Sequence, residues 1–342
     1  MACRRDRHHG RPRPAPRTAR ALRRRAARGA RVSLPPLILL VGATAVGKTE
    51  AAIVLAERLQ AEIISADSRL LYRGLDIGTA KPTPEERQRV RHHLVDVADP
   101  GEVWSLAQVR RAVLEAAADI SARGRLPLVV GGTGQYMRAL LEGWEPPAGG
   151  SPPSATRLRL EDEARRLGGA ALHGRLRLLD PDSAERIDAR NVRRVIRAVE
   201  IHELTGAPAS DQRRHVPLPY RILCLGLRLP RAELYARIDA RLDEMLRAGW
   251  VEEVRRLLAA GLEPAAPAFS AIGYPQLVEV VRGRLGLAEA RADIRKRTHA
   301  FVRRQANWFK PGDPAIRWFE NRPGVIELME SEVRAWLAAG AV

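Results

Sequence analysis

The sequence predicts an α/β protein built on a doubly wound parallel sheet, and three observations carry that prediction. Short apolar runs at 37–41, 61–66, 127–130 and 220–227 alternate with helix-forming stretches at 50–59, 105–123 and 135–142, the rhythm of parallel strands joined by crossover helices. Residues Gly42-Ala43-Thr44-Ala45-Val46-Gly47-Lys48-Thr49 match G-x-x-x-x-G-K-[ST] between the first strand and the first helix. The stretch 154–204 is helical throughout and lies between Pro- and Gly-rich boundaries at 145–153 and 208–219. Together they predict a P-loop NTPase-like core at 34–144 and 220–325, an all-helical insertion domain at 145–219, and C-terminal helices at 231–261 and 287–310. An Arg-rich tail, 1–33, precedes the core.

Each element has a local reason. The run 37–41 is apolar without alternation, as a strand covered on both faces must be. Beyond it, Gly42 and Gly47 let the backbone curl so that several N–H groups face one anion. The helix N-terminus adds positive dipole, Lys48 adds a charge, and the Thr49 hydroxyl can ligate Mg²⁺. The second strand ends in Asp67 followed by Ser68, and Asp67 is either a general base beside the phosphates or a helix cap. The strand 127–130 runs into Gly131-Gly132-Thr133-Gly134, where phosphoryl-transferring P-loop proteins commonly carry an acid that helps hold Mg²⁺. Ligands of such sheets bind beyond the carboxyl ends of the strands. The loop, Asp67 and Thr133 therefore converge on one crevice.

The 342 residues suffice for a large core and carry a formal charge of +18. Residues 1–31 hold twelve arginines and a single acid, Asp6, which leaves +7 on the rest. That excess suits a polyanionic partner, or is simply an arginine-rich surface. The tail has the composition of a transit peptide, a disordered arm or a start read too early. Two cysteines, Cys3 and Cys224, offer neither a disulfide framework nor zinc spacing, which fits a reducing cytoplasm. No apolar stretch approaches bilayer length, so no membrane partner is expected.

Further signatures are Ile64-Ser65-Ala66-Asp67-Ser68, the run from Tyr72 to Pro82, His92-His93-Leu94-Val95-Asp96, and Val130 to Tyr136. Ala271-Ile272-Gly273-Tyr274 and Arg303-Arg304-Gln305-Ala306-Asn307-Trp308-Phe309 complete the set. With the phosphate loop they resemble the bacterial tRNA dimethylallyltransferases over roughly 37–320. That resemblance implies that the loop holds the diphosphate of dimethylallyl diphosphate, a leaving group. The prenyl group would pass to the exocyclic amine of an adenosine beside the anticodon in tRNAs reading codons that begin with U.

By the same resemblance Asp67 is the general base, and Lys48, Thr49, Mg²⁺ and Arg241 act on the diphosphate. Taken alone, Arg241 reads as a solvated helix face. Thr133 would contact the substrate nucleotide, although a turn hydroxyl is its plain reading. The anticodon stem-loop of tRNA would be gripped by Asp67, Ser68, Arg69, Leu70, Arg157, Arg193, Arg194, Val195, Ile196, Arg197, Ser270, Gly273, Tyr274, Arg303, Arg304, Gln305, Trp308 and Lys310. Trp308 and Phe309 either stack bases or pack in the core. A monomer is expected.

Three departures accompany the likeness. Thr298-His299 stand where an arginine is usual, so a tRNA contact there is expected to be weaker or pH-dependent. The usual Pro-Asn-Asp run is absent around 188–191, and Pro275 replaces a residue that is often basic. The alternatives are a P-loop nucleoside or metabolite kinase, an adenylate isopentenyltransferase acting on free nucleotides, and a non-catalytic RNA-binding protein.

Overall fold

The computed structural model describes residues 34–146, 154–212 and 214–340; the Arg-rich tail, 1–33, lies outside them. Six parallel strands form the sheet in the order β3-β2-β4-β1-β7-β8. They are β1 (Pro36–Gly42), β2 (Ala61–Ser65), β3 (His92–His93), β4 (Leu126–Gly131), β7 (Arg221–Arg228) and β8 (Ile316–Glu320). β1 sits between β4 and β7, and its uninterrupted apolar run supplies both faces. Leu37, Leu39 and Val41 enter one apolar layer with the helix Leu106–Ala122, whereas Ile38 and Leu40 enter the other with the helix Lys48–Leu59. The period of two along a strand divides one hydrophobic run between two cores.

Short strands β5 (Trp144–Glu145) and β6 (Arg214–His215) pair antiparallel at the base of the insertion. Beyond them the helices Ala155–Leu167, Gly169–Leu179, Pro181–Arg186 and Val192–Thr205 close over their own core of Leu160, Leu172, Leu176, Val195 and Val199.

The C-terminal part is longer and more divided than its sequence suggests. The helical stretch expected at 231–261 breaks at Gly249 into Arg231–Arg247 and Trp250–Ala259, and the next long helix is Leu287–Trp308. β8 adds a strand at the sheet edge, and the helix Val325–Ala338 carries the core past residue 325. Val325, Met329 and Val333 of that helix enter the second apolar layer, while Arg58 pairs with Glu327 and Glu330 across its surface. Among the described residues no helix is long and apolar enough to cross a membrane.

Candidate active site

The phosphate loop is held from three sides. Lys48 donates from Nζ to the Ala43 carbonyl at 2.8 Å, and Asn321 donates from Nδ2 to the Val46 carbonyl at 2.7 Å. The Thr44 N–H donates to Oε1 of Gln305 at 2.9 Å. Gly47 caps the following helix at φ 99°, and a Cβ there would lie 2.5 Å from Asn321 Nδ2, so both the backbone and the clasp require glycine. No side chain caps that helix, and the N–H groups of Ala45 and Gly47 find no acceptor among the described residues. These free donors, together with the helix dipole, make an anion cradle. Thr49 is exposed at the start of the helix.

β2 and β4 are neighbours, so Asp67 and the turn Gly131–Thr133 emerge side by side. The Ala66 N–H donates to the Val130 carbonyl at 2.8 Å, which extends the pairing beyond the strand end. The Ser68 N–H donates to Thr133 Oγ1 at 3.3 Å, and the Arg69 N–H to Asp67 Oδ1 at 2.8 Å. Residues 68–70 form a turn, so Asp67 caps no helix. Its Oδ2 has no hydrogen-bond partner among the described residues and is free to accept a proton.

Lys48 approaches the same turn: a Cβ on Gly132 would lie 3.6 Å from its Nζ. Burial lowers the Lys48 ammonium to about 8; the Asp67 carboxylate opposes that shift, and the Arg241 guanidinium adds to it. Burial likewise lowers Arg241, with Asp67 the chief opposing charge. Arg241 is half-buried and has no ion-pair partner within 4.0 Å among the described residues. It is therefore a partly withdrawn cation whose charge acts on Lys48 and Asp67, rather than a fully solvated helix face.

The residues expected to grip tRNA range from exposed to buried. Arg193, Arg194, Arg303, Arg304, Ser270 and Lys310 are exposed, and none of these cations is ion-paired among the described residues. Ser270 is linked to Arg69, whose Nη1 donates to its Oγ at 2.8 Å. Val195 and Ile196 are core residues of the insertion, Tyr274 is fully buried with its hydroxyl donating to Glu253, and Gly273 packs on Trp250. Gln305 is 4% exposed. Contrary to what a surface contact would need, the side chains of Val195, Ile196, Tyr274 and Gln305 are buried, and Gly273 has none to present.

Arg157 and Arg197 converge on the buried carboxylate of Glu200, Arg197 at 2.7 Å. Trp308 is half-buried against Gly134 and lies 6.2 Å from Trp144, while Phe309 is buried; both pack rather than stand free. His299, in the segment where the resemblance would place an arginine, stacks on Tyr235 at 4.1 Å and bonds Asp239 at 2.9 Å. Pro275 occupies the first turn of the helix Tyr274–Val281, where its missing N–H costs nothing. Asn321 was not foreseen: within Asn321-Arg322-Pro323-Gly324 it reads only as a turn residue.

The model of the IPP transferase family matches residues 70–312 and that of the isopentenyl transferase family residues 35–99. The chain belongs to the IPP transferase family. It is 50% identical over 304 residues to a tRNA dimethylallyltransferase of Roseiflexus sp. strain RS-1, covering 89% of this chain and 99% of the relative. A tRNA dimethylallyltransferase of Thermomicrobium roseum is 49% identical, with 87% and 90% covered. Among solved structures, the tRNA isopentenylpyrophosphate transferase of Bacillus halodurans superposes with a TM-score of 0.66 at 35% identity, covering 90% of this chain and 98% of that one. A eukaryotic dimethylallyltransferase acting on tRNA shares the fold at a TM-score of 0.74 and 24% identity, with 88% and 77% covered.

Proposed function

We propose that this chain transfers the dimethylallyl group of dimethylallyl diphosphate to the N6 amine of the adenosine 3′-adjacent to the anticodon, in tRNAs that read codons beginning with U. The observation that carries the reading is the convergence of Asp67, with one carboxylate oxygen unbonded, and Lys48 on the turn Gly131–Thr133 beside the phosphate loop, with the Arg241 charge acting on both. Family membership and the names of the relatives support the substrates.

The amine lone pair attacks the first allyl carbon while the bond from that carbon to the bridging oxygen breaks, its electron pair leaving with diphosphate. Asp67 accepts the N6 proton as the carbon–nitrogen bond forms. Lys48, Arg241 and the loop amides meet the negative charge that grows on the diphosphate. Among the described residues no group of three or more His, Cys, Asp or Glu forms a metal cage. Mg²⁺ usually keeps several waters and leans on substrate phosphates rather than an all-protein cage; here the Thr49 hydroxyl would help hold it, and it would supply further neutralisation of the leaving group. Arg193, Arg194, Arg303, Arg304 and Lys310 would hold loop phosphates, which gives position and affinity rather than base choice.

A kinase reading has less support, because β4 ends in Gly131 rather than an acid. The test is incubation with labelled dimethylallyl diphosphate and unmodified tRNA reading U-starting codons. Prenylated adenosine is expected; tRNA bound normally with no prenylated product would sink the proposal, and label transferred from γ-labelled ATP would favour the kinase.

A further inference from the structure

We infer that Gln305 is a positioning residue for the phosphate loop, acting from within the helix whose outer face carries Arg303 and Arg304. The inference rests on the reading of the loop as a diphosphate site. It makes Gln305 part of the diphosphate machinery and not of the nucleic-acid surface.

Gln305 is buried, and both ends of its amide are hydrogen-bonded. Oε1 accepts the Thr44 N–H at 2.9 Å, and Nε2 donates to the Gly132 carbonyl at 2.8 Å. An N–H can only donate and a carbonyl only accept, so these partners fix which end of the amide is which. One planar group thus ties the loop after β1 to the turn after β4, the two segments between which Lys48 extends. The fit is close: a Cβ on Gly132 would lie 2.7 Å from Nε2.

The helix Leu287–Trp308 has two faces in this region. Val302 and Gln305 point inward, and Trp308 packs on Gly134 and beside Trp144 of β5. Arg303 and Arg304 point outward, as the 3.6-residue turn requires. The inner face of one rigid element therefore sets the loop, the turn and the base of the insertion together.

A side chain that only filled space would be replaced well by methionine. If Gln305 positions the loop, Gln305→Met leaves the Thr44 N–H and the Gly132 carbonyl without partners. Titration of the full chain with Mg²⁺ and inorganic diphosphate should then show a roughly tenfold loss of affinity. The affinity for unmodified tRNA should change less than twofold.

Gln305→Glu gives a sharper readout. Ionised, it repels the Gly132 carbonyl; protonated, it restores one acceptor and one donor. Its diphosphate affinity relative to wild type should recover as the pH is lowered, while that of Gln305→Met should not. If Gln305→Met fails to fold, Gly132→Ala is expected to push the amide aside and give the same selective loss of diphosphate affinity. Equal losses for tRNA and diphosphate, or no loss for either, would overturn the inference. A wild-type protein that binds no diphosphate would overturn the functional reading along with it.

Discussion

Asn321 holds the carbonyl of Val46 at 2.7 Å from the loop that follows the edge strand β8. The phosphate loop is thus clasped by a segment distant in sequence, and the clasp is testable. Asn321→Leu leaves the Val46 carbonyl without this donor, a loss of about 1 kcal/mol or more. Steady-state kinetics should show KM for dimethylallyl diphosphate raised roughly fivefold, with KM for tRNA little changed.

Asp67→Ala should lower kcat roughly a hundredfold or more, the scale of general-base catalysis. Diphosphate binding, followed by calorimetry, should remain near the wild-type value. A matching loss of diphosphate affinity would instead place Asp67 on the metal or the phosphates.

Lys48 gives a pH signature. Burial lowers it from its ordinary 10.5 to about 8, so the free protein loses this positive charge as the pH rises through about 8. Bound diphosphate favours the charged form, so its affinity should fall across that range and binding should take up protons above about pH 8. Calorimetry in buffers of different ionisation heat measures the uptake. Lys48→Arg should remove both the uptake and the fall, because a guanidinium stays charged there.

Two arginines of the insertion should behave differently. Arg157 pairs with Glu200, whose carboxyl is pushed up by burial but held below its ordinary value by bonds from Ser154, Arg157 and Arg197. Arg157→Met should therefore lower the melting temperature as well as any tRNA affinity, since it weakens the compensation of a buried charge. Arg193 is exposed and unpaired among the described residues. Arg193→Met should weaken tRNA binding and reduce its salt slope by roughly one, with the melting curve unmoved.

What was legible in the chain was whatever local pattern decides. The loop Gly42–Thr49 and the strand before it are contiguous, and their residue types leave few alternatives. The proximity of Asp67 to Thr133 followed from the rule that ligands sit at the carboxyl ends of parallel strands, although only the pairing of β2 with β4 brings the two side by side. Arg241 was not legible from its own surroundings, because a cation on an amphipathic helix looks solvated until the fold turns it inward. Gln305 and Asn321 were illegible as loop supports for a stronger reason: their partners lie 261 and 275 residues away. Val195 and Ile196 show the opposite error. They stand in one run with their arginine neighbours, yet a helix turns successive residues by about 100°, which separates the arginines from the core positions.

The pairing of Trp144 with His215 brings the two ends of the insertion together. The chain leaves the six-stranded part and returns to it through two strands paired residue to residue, so the helices between them pack on a core of their own. Such an arrangement lets the helices beyond the pair be lengthened, trimmed or exchanged without redrawing the parallel sheet.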